Sequence, residues 1–232
     1  MVNIKENTDA VRAKIEETAR KAGRCASKIK LMGVSKFHPF EAMREAAQYV
    51  DLLGENRVQE AVSKRLLWKE SPFDAPWHLI GQLQKNKARR ALETFDLIES
   101  VDSFELASLL NRILEETDRK FPVYLEINMS HDENKSGAEA ENAPEMLEKI
   151  MENCPRLSVE GLMTMAPLNG DEKAVRRAFA GLRTLAEELS TRSGLQLPVL
   201  SMGMSGDFEY AIEEGSTLVR VGTAIFGERE YY

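Results

Sequence analysis

A chain of 232 residues is long enough for one sizeable core and lies near the ~250 residues of a single (β/α)8 barrel. Hydrophobic residues make up 43% and charged residues 30%, and a formal net charge of -7 with a pI near 5.3 argues against a nucleic-acid or membrane-surface partner. The two cysteines, Cys25 and Cys154, show no CxxC or Cys/His spacing, which excludes a disulfide framework or a zinc site. The N-terminus carries no apolar leader and no apolar run approaches ~18 residues, so the expectation is one cytoplasmic domain over residues 1–232.

In chain order, residues 3–22 predict a helix with Val11, Ile15 and Ala19 on one stripe and Gly23 after its end. Leu31–Ser35 predicts a strand with Lys36 at its end, and Pro39–Ala47 a helix opened by proline. Val50–Gly54 is a second strand, followed by a helix carrying Val58, Ala61, Val62 and Leu66. Trp77–Gly81 and Leu97–Val101 are the third and fourth strands, with a helix over Gln84–Leu92 between them. Asp102 or Ser103 caps the next helix, which runs through Leu106, Leu109, Leu110 and Ile113.

Pro122–Asn128 predicts the fifth strand, with a polar loop after it at residues 130–137 and a helix over Ala143–Ile150. Val159–Thr164 is the sixth strand. Asp171–Ser190 is the clearest helix, with Val175, Ala178, Phe179, Leu182, Leu185, Ala186 and Leu189 on one face and Gly194 closing it. Two short apolar strands beginning at Leu200 and Leu218 complete eight. Strand–helix alternation from end to end implies parallel strands. The fold class is therefore α/β, a single (β/α)8 barrel with an extra N-terminal helix; an open doubly wound sheet is the alternative, against which stands the lack of GxGxxG after the first strand.

The last two strands break into small residues, Ser205-Gly206 before Asp207 and Gly222-Thr223 before Ala224. Small residues let backbone N–H groups approach a ligand, and helix N-termini add donors and positive dipole, which suits a phosphate. The loops after strands seven and eight are the usual phosphate site of such barrels, although each turn alone reads more plainly as an ordinary strand-to-helix connection. Strand C-termini face the site of a barrel, which singles out Lys36, Asn56, His78, Asn128, Met163, Thr164, Ser205 and Arg220. Flanked by core, Lys36 is partly desolvated, which favours the neutral amine that forms Schiff bases; a lysine reaching solvent is the plainer reading. Strands one and eight are neighbours in a closed barrel, so amine and cradle would face each other. A ligand with an aldehyde and a phosphate, such as pyridoxal 5′-phosphate (PLP), satisfies both.

Arg220 alternates with Val219 and Val221 and points either at the pyridine nitrogen or at a neighbouring carboxylate. As a permanent cation it leaves the ring a weak electron sink. His78, between Trp77 and Leu79, reads as a hydrogen-bonded core histidine before a general base, Met202 and Met204 as packing, and Lys135 as a solvated lysine.

The stretches Gly33-Val-Ser-Lys36, Gly54-Glu-Asn56, Trp77-His-Leu-Ile-Gly81-Gln-Leu-Gln-Lys-Asn-Lys87, Lys135-Ser-Gly137, Gly161-Leu-Met163, Ser201-Met-Gly-Met-Ser205 and Gly215–Gly227 resemble the pyridoxal phosphate homeostasis protein family, single-domain PLP proteins of fold-type III. The resemblance runs from about residue 4 to residue 229. It implies a (β/α)8 barrel with PLP on Lys36 and the phosphate at Ser205, Gly222 and Thr223, assisted by the Gly206 backbone. It further implies Arg220 near the pyridine nitrogen, Asn56 beside the cofactor, and a secondary role for Lys135 in PLP exchange. Phe37-His38-Pro39 departs from the family's usual run after the lysine and removes one basic residue beside the site.

Two function classes follow. One is a carrier that holds, buffers and hands PLP to apo-enzymes, as a monomer and without a metal or catalytic residues. The other is a PLP enzyme such as an amino-acid racemase, which needs a second acid–base group on the opposite face of the substrate carbon. Tyr231 and Tyr232, on the tail, are poor candidates for it, so the carrier leads.

Overall fold

The computed structural model describes residues 2–68, 73–130, 136–168 and 170–228. Helix α1, Ile4–Lys21, starts where the Asn3 side chain accepts from the Glu6 N–H and buries Val11, Ile15 and Ala19. Then come β1, Lys30–Val34; α2, Phe40–Ala46; β2, Leu52–Glu55; α3, Val58–Trp68; β3, Trp77–Leu79; α4, Ala88–Thr94; and β4, Leu97–Val101. The second half holds α5, Phe104–Glu115; β5, Phe121–Asn128; β6, Ala138–Glu139; α6, Ala143–Asn153; β7, Leu157–Met163; and α7, Glu172–Ser193. It ends with β8, Val199–Ser201; α8, Phe208–Glu213; β9, Leu218–Val221; and α9, Thr223–Phe226.

All barrel strands are parallel, in the order β4-β3-β2-β1-β9-β8-β7-β5, and β5 pairs back onto β4 to close the ring. The expected (β/α)8 barrel is present, and Met32 lies opposite Arg220 across the β1–β9 seam. That seam is covered by α1, whose Asn7 donates to the Ile225 carbonyl, 218 positions away, at 2.9 Å. Side chains alternate between two layers. Leu31, Leu53, Trp77, Ile98, Val123 and Val219 face the helices, whereas Met32, Val34, Leu52, Leu97, Tyr124, Met163 and Leu218 fill the barrel interior.

Several boundaries differ from the sequence reading. The second strand begins at Leu52, and the third ends at Leu79. The helix expected over Gln84–Leu92 is a 3-10 turn, Lys85–Lys87, leading into α4 with no side-chain cap at its start. On α3 the buried face is Val58, Ala61, Lys64 and Trp68, and Leu66 is exposed; Lys64 is held inside by the buried Glu55 carboxylate. Strand β6 was not expected: two residues pairing with Ile127 and Asn128 carry no readable period. The α7 boundaries agree, with Asp171 accepting from the Ala174 N–H and Gly194 left-handed at φ 74°.

Cys25 is exposed and Cys154 buried, both as free thiols. Among the described residues no helix is long and apolar enough to cross a membrane, and no group of His, Cys, Asp and Glu is disposed to hold a metal.

Candidate ligand cavity at the C-terminal face of the barrel

Lys36 follows β1 by two residues, and the chain on both sides of it is held in place. The Ser35 N–H donates to the Gly54 carbonyl at 3.1 Å, and Ser35 Oγ donates to Glu55 Oε1 at 2.6 Å. Lys64, reaching from α3, donates to the Ser35 carbonyl at 3.0 Å and to Glu55 Oε1 at 2.7 Å, and lies 2.8 Å from Glu60 Oε1. That same Glu60 oxygen accepts from the Phe37 N–H at 2.9 Å. Phe37 is left-handed, with φ 67°, an expensive conformation for an aromatic residue that the surrounding bonds hold. Burial pushes the Glu55 carboxyl up, with Lys64 pulling it back down. His38 turns away to stack on Phe226, with ring centroids 5.0 Å apart.

Asn56 follows β2. A Cβ on Gly81 would come within 2.2 Å of the Asn56 backbone oxygen, so only glycine at 81 lets the two loops approach.

On the opposite side, two turns meet. Ser205 Oγ accepts from the Gly222 and Ala224 N–H groups, each at 3.3 Å, which ties the turn after β8 to the start of α9. Asp207 Oδ1 accepts from the Met204 N–H at 2.6 Å; burial pushes this carboxyl up, opposed by that bond and by Arg220. A Cβ on Gly206 would meet no protein atom within 4 Å, so that backbone faces open space.

Arg220 is buried inside the barrel. Its Nη1 donates to Ser201 Oγ and its Nη2 to the Thr164 carbonyl, both at 2.8 Å. Of the two partners the sequence left open, no carboxylate is bonded to it directly among the described residues; the nearest polar contacts are neutral oxygens. Burial lowers the guanidinium's affinity for its proton, and Glu99, Glu126 and Asp207 raise it again.

These parts enclose one cavity of about 210 Å³. Its wall includes all seven residues singled out as a site: Lys36, Asn56, Ser205, Gly206, Arg220, Gly222 and Thr223. Val34, Ile80, Met163, Met165 and Met204 supply the apolar remainder, so Met204, which is exposed, lines the cavity where packing was expected. His78, Asn128 and Thr164 are buried and do not line it. His78 Nδ1 lies 2.7 Å from Glu99 Oε1, as a hydrogen-bonded core histidine should. Lys135, Tyr231 and Tyr232 lie outside the described residues.

Sequence reasoning missed Glu99, Glu126 and Ser201, which face inward below the cavity. The available signal was a carboxylate in the middle of an apolar strand, at the parity that faces the barrel interior.

The lining suits a phosphorylated aldehyde: a hydroxyl-bearing turn of small residues with open space at Gly206, an amine and a buried cation share one cavity. A model of the alanine racemase N-terminal domain family matches residues 7–230. The pyridoxal phosphate homeostasis protein of Aquifex aeolicus is 40% identical over 231 residues, covering 99% of this chain and 100% of that protein. The chain belongs to the pyridoxal phosphate homeostasis protein family. PipY of Synechococcus elongatus, solved with PLP bound, is 39% identical over 92% of this chain and 100% of its own, with a TM-score of 0.80; its PLP-free structure gives 0.82. Members of this family thus share the barrel at full length.

Proposed function

We propose that this chain binds PLP in the cavity and serves PLP homeostasis as a carrier. Lys36 holds the cofactor as a Schiff base: the amine nitrogen bonds the aldehyde carbon, and the carbonyl oxygen leaves as water. Ser205, Thr223 and the backbone N–H groups of Gly206, Gly222 and Thr223 take the phosphate, the Gly222 N–H giving up its 3.3 Å bond to Ser205 Oγ. Arg220 meets the ring-nitrogen edge, and Asn56 lies beside the cofactor. The observation that carries this reading is that amine and cradle, 169 or more positions apart in sequence, line the same 210 Å³ space.

The PLP held here is buffered or handed to apo-enzymes by a monomer that does not turn over amino acids. Bound PLP supplies an electrophilic carbonyl carbon and an electron-accepting ring. Proton transfer at an amino-acid Cα additionally requires a base on each face for racemisation. Among the described residues lining the cavity, the side chains with a basic nitrogen are Lys36 and Arg220, and a guanidinium is a poor proton carrier. A racemase-like enzyme is the second reading, favoured by the family model that matches the chain.

Borohydride reduction of the PLP-loaded protein, followed by peptide mass spectrometry, tests the first reading. The expected result is cofactor fixed to the peptide containing Lys36 and no stoichiometric fixation in Lys36→Ala. Full fixation on another lysine in that variant overturns it. Cα-hydrogen exchange in deuterated water, over L- and D-amino acids, separates carrier from enzyme; exchange at about 1 per second or faster favours the enzyme.

A further inference from the structure

Below the cavity a string of buried groups crosses the barrel. Arg220 Nη1 donates to Ser201 Oγ at 2.8 Å; Ser201 Oγ donates to Glu99 Oε2 at 2.5 Å; His78 Nδ1 stands 2.7 Å from Glu99 Oε1. The four side chains come from β9, β8, β4 and β3, and Glu99 and Ser201 are fully buried. Only Arg220 reaches the cavity wall. None of the other three touches a ligand there, so their structural effect on it passes through the guanidinium.

The chemistry of each link is directional. A guanidinium cannot accept, so Ser201 accepts from Arg220 and its single proton goes to Glu99. Glu99 accepts from Ser201 on Oε2; where Glu99 is ionised its Oε1 accepts as well, and His78 then carries a proton on Nδ1. With Nη1 held by Ser201 and Nη2 by the Thr164 carbonyl, the guanidinium plane is fixed and its charge is offset by a carboxylate one hydroxyl away.

We propose that Ser201, Glu99 and His78 are positioning residues that fix the Arg220 guanidinium toward the cavity and set how much positive charge it presents to the ring of a bound cofactor. This rests on the reading that PLP occupies the cavity. Other charged groups face Arg220 from Glu126 on β5 and Asp207 at the start of α8, and Lys36 stands on the cavity wall with it. Burial and the neighbouring Asp102 push the Glu126 carboxyl up to about 7, with Arg220 opposing, so Glu126 changes charge near neutral pH and needs its own control.

The test is the pH midpoint of the absorbance band of Lys36-bound PLP in the full-length, loaded protein. Glu99→Gln keeps the side chain's shape and removes one of the three carboxylates that offset Arg220. A more positive surrounding disfavours the protonated Schiff base, so the midpoint falls by about one pH unit. Ser201→Ala breaks the link and moves the midpoint by a comparable amount, whereas Ser201→Thr, which keeps the hydroxyl, restores it. Each chain is measured also with Glu126→Gln, which removes that carboxyl's titration.

A purely structural role changes the unfolding temperature and leaves the midpoint in place; an unmoved midpoint in folded Glu99→Gln and Ser201→Ala overturns the proposal. Should Ser201→Ala not fold, Glu99→Gln alone decides. Failure of the underlying reading looks different: the native chain then shows no PLP band and no borohydride fixation on Lys36.

Discussion

Lys64 and Arg220 are both buried cations beside the cavity, and the protein neutralises them differently. Lys64 is bonded directly to the carboxylates Glu55 and Glu60 and to the Ser35 carbonyl, behind the strand that carries Lys36. Arg220 is bonded to two neutral oxygens, and its carboxylates stand one group further off. A cation closed off by direct pairing holds backbone in place. A cation whose partners are neutral keeps its field for whatever enters the space beside it. The first shapes the turn; the second lines the cavity.

The largest effect expected from breaking this contrast is on Lys64. Lys64→Met leaves Glu55, fully buried, without its counter-charge, and loss of one member of a buried pair costs roughly 3–5 kcal/mol. Urea unfolding at pH 7 measures this; the double variant Lys64→Met/Glu55→Leu should recover most of the loss. A loss under about 1 kcal/mol in the single variant shows that the pair does not hold the turn.

Next comes pH. The Glu126 carboxyl rises from 4.5 to about 7 in the folded chain, so between those values the folded state binds the proton that the unfolded state has released. Stability contributed by this group is present below about pH 4.5 and is lost as pH rises through 7, by up to ~3 kcal/mol at ~1.4 kcal/mol per pH unit. Glu126→Gln should flatten the fall in stability between pH 5 and pH 8, read as the shift of the urea midpoint; an unchanged slope assigns the fall to other groups. Asp207, raised by burial as well, adds a slope of the same sign.

The turns after β8 and β9 sharpen the comparison, because in the proposed reading they would receive an anion mainly with neutral donors. Ser205→Ala and Thr223→Val should each weaken PLP binding about tenfold to a hundredfold, from ~1.5–3 kcal/mol per bond to a charged phosphate. Titration of PLP into each variant checks this, and unchanged affinity in both places the phosphate elsewhere.

Much of this arrangement was legible before any coordinates. Period-2 and continuous apolar runs marked the strands, and the seven-residue face of α7 with Gly194 after it marked a helix with its stop. Lys36, the two small-residue turns and Arg220 stood at strand ends, where a barrel gathers them. The polar interior was not legible. Glu99, Glu126 and Ser201 look like the solvated positions of half-buried strands, and nothing in β4, β5 or β8 alone says that their polar parity faces a closed lumen. Lys64 was missed on a helix: a lysine in the apolar stripe reads as a gap until Glu55, at the end of the preceding strand, and Glu60, one turn back on α3, are placed against it.

The seam between β1 and β9 has a consequence for how the protein comes into being. The amine belongs to the first strand made and the cradle to the last two, so a growing chain has neither half of the cavity in contact with the other until β9 has docked. Closing so long a loop is entropically unfavourable and slow compared with forming neighbouring hairpin-like units. A small molecule that touches both halves binds the closed ring alone, and mass action then favours closure by RT ln(1 + [L]/Kd). A molecule held in that way would act as a clasp on its own container: how firmly the barrel shuts would rise and fall with its free supply.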